Sequence, residues 1–112
     1  MTTDRELLEM AAKAAGLRVR TWEGHSGIRC AIDDDRHGHM WMPLTDDGDA
    51  LRLAVKLDMQ IWRNTGGTVS AMPPGDVIGF WTRLKDEVAP DPCAAYRRAI
   101  VRAASEIGKA MP

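Results

Sequence analysis

Little in this chain points to covalent or membrane-borne stabilisation. It has two cysteines, Cys30 and Cys93, in 112 residues, too few for a disulfide framework and suited to a reducing compartment. Aromatic rings are scarce outside tryptophan: one Phe and one Tyr stand beside four Trp and seven Met. A Trp in a small core needs a partner for its indole N–H, so the place of each Trp matters. No apolar run approaches the roughly 20 residues of a membrane span. The N-terminus is charged from Asp4 onward, so no signal peptide is expected. Excess charge of one sign is missing too. Fifteen Lys and Arg against sixteen Asp and Glu leave a net charge of -1, which argues against a polybasic nucleic-acid binder and an acidic DNA mimic alike. What remains is a balance of 45% hydrophobic and 28% charged residues, that of one soluble, cytoplasmic domain spanning 1–112.

Local signals give an element order. Thr3 and Glu6 form a capping box before a helix with the apolar positions Leu7, Leu8, Ala11, Ala14 and Ala15, ended by Gly16. Leu17–Glu23 and Ile28–Ile32 alternate around the turn Gly24–Gly27 and predict a hairpin. A short strand His39–Met42 follows the polar turn Asp33–Gly38, and Pro43 breaks it. Thr45, Asp46, Asp47 and Asp49 place caps and negative charge at the start of a second helix. Its stripe is Ala50, Leu53, Ala54 and Leu57, widened by Leu51 and Val55. Met59–Asn64, Thr68–Met72 and Val77–Leu84 read as three strands. Asp91 and Pro92 then open a last helix, with Tyr96, Ala99, Ile100, Ala103 and Ile107 facing the sheet and Arg98, Arg102, Ser105 and Lys109 facing water. The fold class is α+β, with antiparallel sheet, helices packed against it, and the order α-βββ-α-βββ-α. At an offset of 40, Trp22 meets Trp62, Trp41 meets Trp81, and Ala14, Leu17, Gly27 and Ala31 each meet an identical residue. A tandem αβββ duplication accounts for such matches, and strand–turn periodicity alone competes with it.

Candidate chemistry is sparse. His37 and His39 form a His-x-His pair near His25, Cys30 and Asp33–Asp35, which could supply metal ligands on an extended segment. No Cys-x-x-Cys or His-Glu-x-x-His spacing supports this, and Gly38 suits a turn. Solvated histidines beside an acidic turn are the competing reading. Cys30 sits in a strand and Cys93 in the first turn of the last helix, each more apt to pack than to act as a nucleophile. No nucleophile elbow, phosphate loop or dinucleotide fingerprint is present. Neither enzymatic activity nor a cofactor is expected.

From Thr45 onward the order helix, three strands, helix is that of a double-stranded RNA-binding domain. The last helix, however, starts Asp91-Pro92-Cys93, which would repel phosphate. Its Arg98, Arg102 and Lys109 row reads as a solvated face with Arg102 and Glu106 paired, and remains the alternative nucleic-acid surface. A better interaction surface is the acidic turn Asp33, Asp34 and Asp35 with Met40, Trp41 and Met42. There a bulky apolar anchor would sit inside a rim suited to a basic partner.

The run from Trp41 to Leu57 (WMPLTDDGDALRLAVKL) resembles small proteins of tailed phages and prophages in proteobacteria. The run from Ala94 to Gly108 (AAYRRAIVRAASEIG) resembles their C-terminal end, and the group is similar to the NinX-like accessory proteins. The residue after the Trp is usually Asn in that pattern and is Met42 here, which matters if the Asn caps the turn or holds a ligand. The resemblance brings no catalytic residues. It implies a phage accessory protein acting in the cytoplasm of the infected host. The expected function is stoichiometric binding to a host protein, with counter-defence against a CRISPR effector as its most concrete form. A nucleic-acid accessory protein and a metal-binding protein built on His25, His37 and His39 are the alternatives, and a homodimer is compatible with each.

Overall fold

The structure, a computed structural model, describes residues 3–25, 27–33, 39–64, 68–73, 80–83 (backbone) and 91–112. The elements run α1 (Asp4–Ala14), β1 (Val19–Gly24), β2 (Gly27–Ile32), α2 (Asp47–Lys56), β3 (Gln60–Arg63), β4 (Thr68–Met72), β5 (Phe80–Arg83) and α3 (Pro92–Ala110). This is an α+β fold with two antiparallel sheets, β1-β2 and β3-β4-β5. Among the described residues, no helix is long and apolar enough to cross a membrane.

The helix starts obey their capping chemistry. Thr3 accepts from the Glu6 N–H, Asp46 from Asp49 and Asp91 from Cys93. The expected third strand at His39–Met42 is reduced to one bridge, Ala31 opposite Met40. The Ile32 N–H donates to the His39 carbonyl and the Trp41 N–H to the Cys30 carbonyl, both at 2.9 Å. Pairing stops there because the Met42 N–H turns to Asp49 and Pro43 has no N–H to give.

α3 is the shared wall of two cores. Ala95, Ala99 and Ala103 pack on Val69 and Ala71 of β4, with Ile61 and Tyr96 at the edge. Ile100, Val101 and Ala104 join Leu7, Leu8, Ala11 and Ala12 of α1, its C-cap Ala15, and Leu53 and Ala54 of α2. Ile100 is buried in this core, which also takes in Cys30 of β2 and has Ile61 of β3 packed against it. Ser105, expected in water, is buried against this seam with its Oγ unpartnered among the described residues. Ser105 is buried because α3 is covered over a much wider arc than a one-faced helix would be. At its end, a Cβ on Gly108 would overlap the Met10 carbonyl, so only glycine permits this helix crossing.

The corner that follows α1 recurs after α2. Gly16 and Asp58 both have positive φ, 73° and 56°. The next residue in each case closes the helix end, Leu17 N–H to the Ala12 carbonyl and Met59 N–H to the Ala54 carbonyl. These equivalents are 42 apart. In the strands two 40-residue matches keep their burial: Trp22 and Trp62 are both part-exposed, and Ala31 and Ala71 are both buried.

Candidate functional site

A cleft of about 480 Å³ opens where the end of α1, the β2 edge and α2 meet. Its apolar lining is Ala15, Leu17, Ile32, Trp41 and Leu53, and its polar lining is His39, Asp49, Arg52 and Lys56. Trp41 is 6% exposed and belongs to the floor, whereas Met40 is 44% exposed at the rim. The alternation follows from the bridge to β2, which points residues 39 and 41 to one face and residue 40 to the other.

The segment carrying Met40 is held from two sides. Its two hydrogen bonds to β2 fix residues 39 and 41, and Asp49 Oδ2 accepts the Met42 N–H at 2.8 Å. The other oxygen of Asp49 accepts from Arg52 Nη2 at 2.7 Å. That charge-assisted bond raises the Arg52 pKa above its ordinary value, so the guanidinium remains a fixed cation on the rim. Lys56 lies one turn further along α2, also on the rim, and forms no ion pair with a described residue. Burial, reinforced by the negative charges of Glu9 and Asp49, pushes the Cys30 thiol up to about 11. This leaves Cys30 a packing group at neutral pH rather than a nucleophile.

The residues singled out by sequence are dispersed. Met40 and Trp41 meet at the cleft, but Met42 packs on the core. Asp33 is exposed and ion-paired with Arg20 at 3.0 Å, while Asp34, Asp35 and His37 lie outside the described residues. Among the described residues, the cations on the rim of the cleft are Arg52 and Lys56 of α2. His25 occupies the β1-β2 turn and His39 lies beside Ile32 at the other end of that hairpin. Five residue steps, about 17 Å along the ladder, separate them, so they cannot share one metal ion. The basic row of α3 is partly neutralised, with Arg98 on Asp4 at 3.1 Å and Lys109 on Glu106 at 3.3 Å.

Asp49, Arg52 and Lys56 are the site residues that sequence reasoning missed. Asp49 reads as a dipole-complementing residue, and it does lie in the first turn of α2. Only the chain reversal at Pro43 brings the Met42 N–H to it. The spacing of Arg52 and Lys56, one helical turn, was the available signal for a cationic edge. Comparison of the chain with protein-family models, with curated proteins and with solved structures gave no match.

Proposed function

We propose that the protein is a non-enzymatic phage accessory protein that binds a host protein stoichiometrically in the host cytoplasm, with the Met40 cleft as its capture site. The observation that carries this reading is the half-exposed Met40 on a backbone held by β2 and by Asp49. An apolar anchor on a pre-ordered segment loses little conformational freedom on binding, and such anchors dominate interface energetics. The phage context and the counter-defence role rest on the sequence resemblance of Trp41–Leu57 and Ala94–Gly108. Arg52 is held by Asp49, which leaves Lys56 as the rim cation that favours a partner presenting a carboxylate beside an apolar side chain. Neutralisation of Arg98 and Lys109 favours a protein partner over nucleic acid.

Affinity capture from a proteobacterial host lysate tests this. The wild-type chain is expected to retain one protein at near-equimolar yield, and Met40→Ala with Lys56→Glu to lose it. Arg98→Glu with Arg102→Glu is expected to leave capture intact. Binding that survives the cleft variant but fails with the α3 variant, or a complex that dissolves steeply with salt and contains nucleic acid, would overturn the proposal.

A further inference from the structure

The face of the β1-β2 hairpin turned away from α1 carries chemistry that the cleft does not use. Val19, Ile28, Cys30 and Ile32 pack inward, and the Thr21 hydroxyl meets Arg5 and Glu9 of α1. The ladder runs one residue beyond β1, with the Asp33 N–H donating to the Arg18 carbonyl. Strand alternation therefore puts Arg18, Arg20 and Trp22 on the outer face, with Arg29 directly opposite Trp22. Glu23, like Ile28 opposite it, belongs to the inner face. Trp22 is 41% exposed. Asp33 is the one carboxylate that the ladder puts on the outer face among the described residues, and Arg20 neutralises it at 3.0 Å. Arg18 and Arg29 are exposed and form no ion pair among the described residues. The whole chain carries -1, yet this face keeps two uncompensated positive charges.

Gly24 shapes the same face. A Cβ there would stand 2.8 Å from Arg29 Cγ and 3.4 Å from its Nε. The Arg29 side chain thus occupies the space that a larger residue would fill, laid along the sheet beyond Trp22. Arg18 lies on the other side of the ring, about 13 Å away along β1. Two cations therefore flank an exposed indole along the hairpin.

We infer that this face binds single-stranded nucleic acid, with a base stacked on Trp22 and the adjoining phosphates on Arg18 and Arg29. The shape of the face selects this occupant. Arg18, Trp22 and Arg29 lie outside the lining of the Met40 cleft, and a flat face gives an acidic peptide no seat for a side chain. A base brings its own planar surface to the indole. A duplex hides its base faces and could engage only the arginines. Trp62 supplies an internal comparison. It has the corresponding place on β3, is 38% exposed, and donates its indole N–H to Asn64 Oδ1 at 2.8 Å. Its outer-face neighbours Gln60 and Ser70 are uncharged.

This inference is independent of the host-protein reading. Two phosphate contacts give a salt slope of about -1.4 and a dissociation constant on the order of 10 µM at low salt. Such binding is too weak, and too shallow in salt, to be the equimolar complex of the capture experiment.

Fluorescence anisotropy of a labelled oligothymidylate of about 15 nucleotides, titrated with the full chain to about 300 µM, tests it. The oligonucleotide is expected to bind, at least about 5-fold more weakly to Trp22→Ala and nearly as well to Trp22→Tyr. Arg18→Gln with Arg29→Gln should weaken binding at least about 10-fold and flatten the salt slope. Trp62→Ala should stay within about 2-fold of wild type. Lys56→Glu should do the same, which keeps the result distinct from capture at the cleft. Circular dichroism should not change, because all these side chains are exposed. No binding at the highest concentration overturns the inference. So does equal affinity for a hairpin duplex or for oligoglutamate, or an equal loss in Trp22→Ala and Trp62→Ala.

Discussion

α1 and α2 end in the same way and yet are buried differently. Each is closed by a residue at positive φ, and each hands over to a strand through the same backbone hydrogen bond, Leu17 to Ala12 and Met59 to Ala54. α1 nevertheless sinks four residues into the core, Leu7, Leu8, Ala11 and Ala12, and its C-cap Ala15 follows them. α2 buries Ala50, Leu53 and Ala54 and leaves Leu51 and Val55 in solvent. The difference lies in what α3 offers each of them. Towards α1 it presents Ala104 and Gly108, small enough for the helices to touch. Towards α2 it presents Tyr96, Arg97 and Ile100, whose bulk leaves a groove between the helices. A helix's own pattern names its apolar positions, and its neighbour's side-chain sizes decide how many are covered.

The sharpest way to break this contrast is Gly108→Ala. The added methyl meets the Met10 backbone, which cannot rotate away, so a loss of at least about 3 kcal/mol is expected in urea unfolding. An unchanged midpoint would mean that α1 and α3 are not in close contact. Within α2, Leu53→Ala should cost about 3 kcal/mol by leaving a cavity. Leu51→Ala, two residues away, should stay within about 0.5 kcal/mol. Equal effects at the two positions would contradict the assigned face of the helix.

Cys30 gives a pH-dependent version of the same test on the α1 side. Its thiol is neutral up to about 11 in the folded chain, against 9.0 for an ordinary cysteine. Between those values the unfolded state releases the proton and the folded state keeps it, so stability falls as pH rises through the window. The loss is on the order of 2 kcal/mol, and the pH dependence should shrink in Cys30→Ala. Only Cys93 should react with iodoacetamide at neutral pH. The smallest effects belong to the two helix ends. Asp58→Gly should raise stability by about 0.5 kcal/mol by relieving the left-handed backbone, and Gly16→Ala should lower it by about 1 kcal/mol. Thermal unfolding of the pair would show whether the two corners are equivalent.

The candidate site was only partly legible in advance. Met40 and Trp41 stood out as bulky apolar neighbours, and strand alternation implied that they face opposite ways. Which of the two is exposed depends on the side of β2 that α1 covers. Of the acidic turn, Asp33 pairs with Arg20 on the neighbouring strand, and Asp34 and Asp35 lie outside the described residues. The cations that do border the cleft come from α2, next to the Met40 segment only because the chain folds back at Pro43.

Local chemistry in the sequence determined the helix starts at Thr3, Asp46 and Asp91, the end at Gly16, the hairpins and the α+β class. These features depend on hydrogen bonds and dihedral preferences within a few residues, which a sequence displays directly. Tertiary structure alone decided that α3 would serve two cores, that Ser105 would be buried, and that Leu51 and Val55 would be left outside. It also decided that Asp49 would hold the Met42 backbone and that the strand at residue 40 would shrink to one bridge. Each of these depends on the size and position of groups distant in the chain, and neither periodicity nor spacing encodes them.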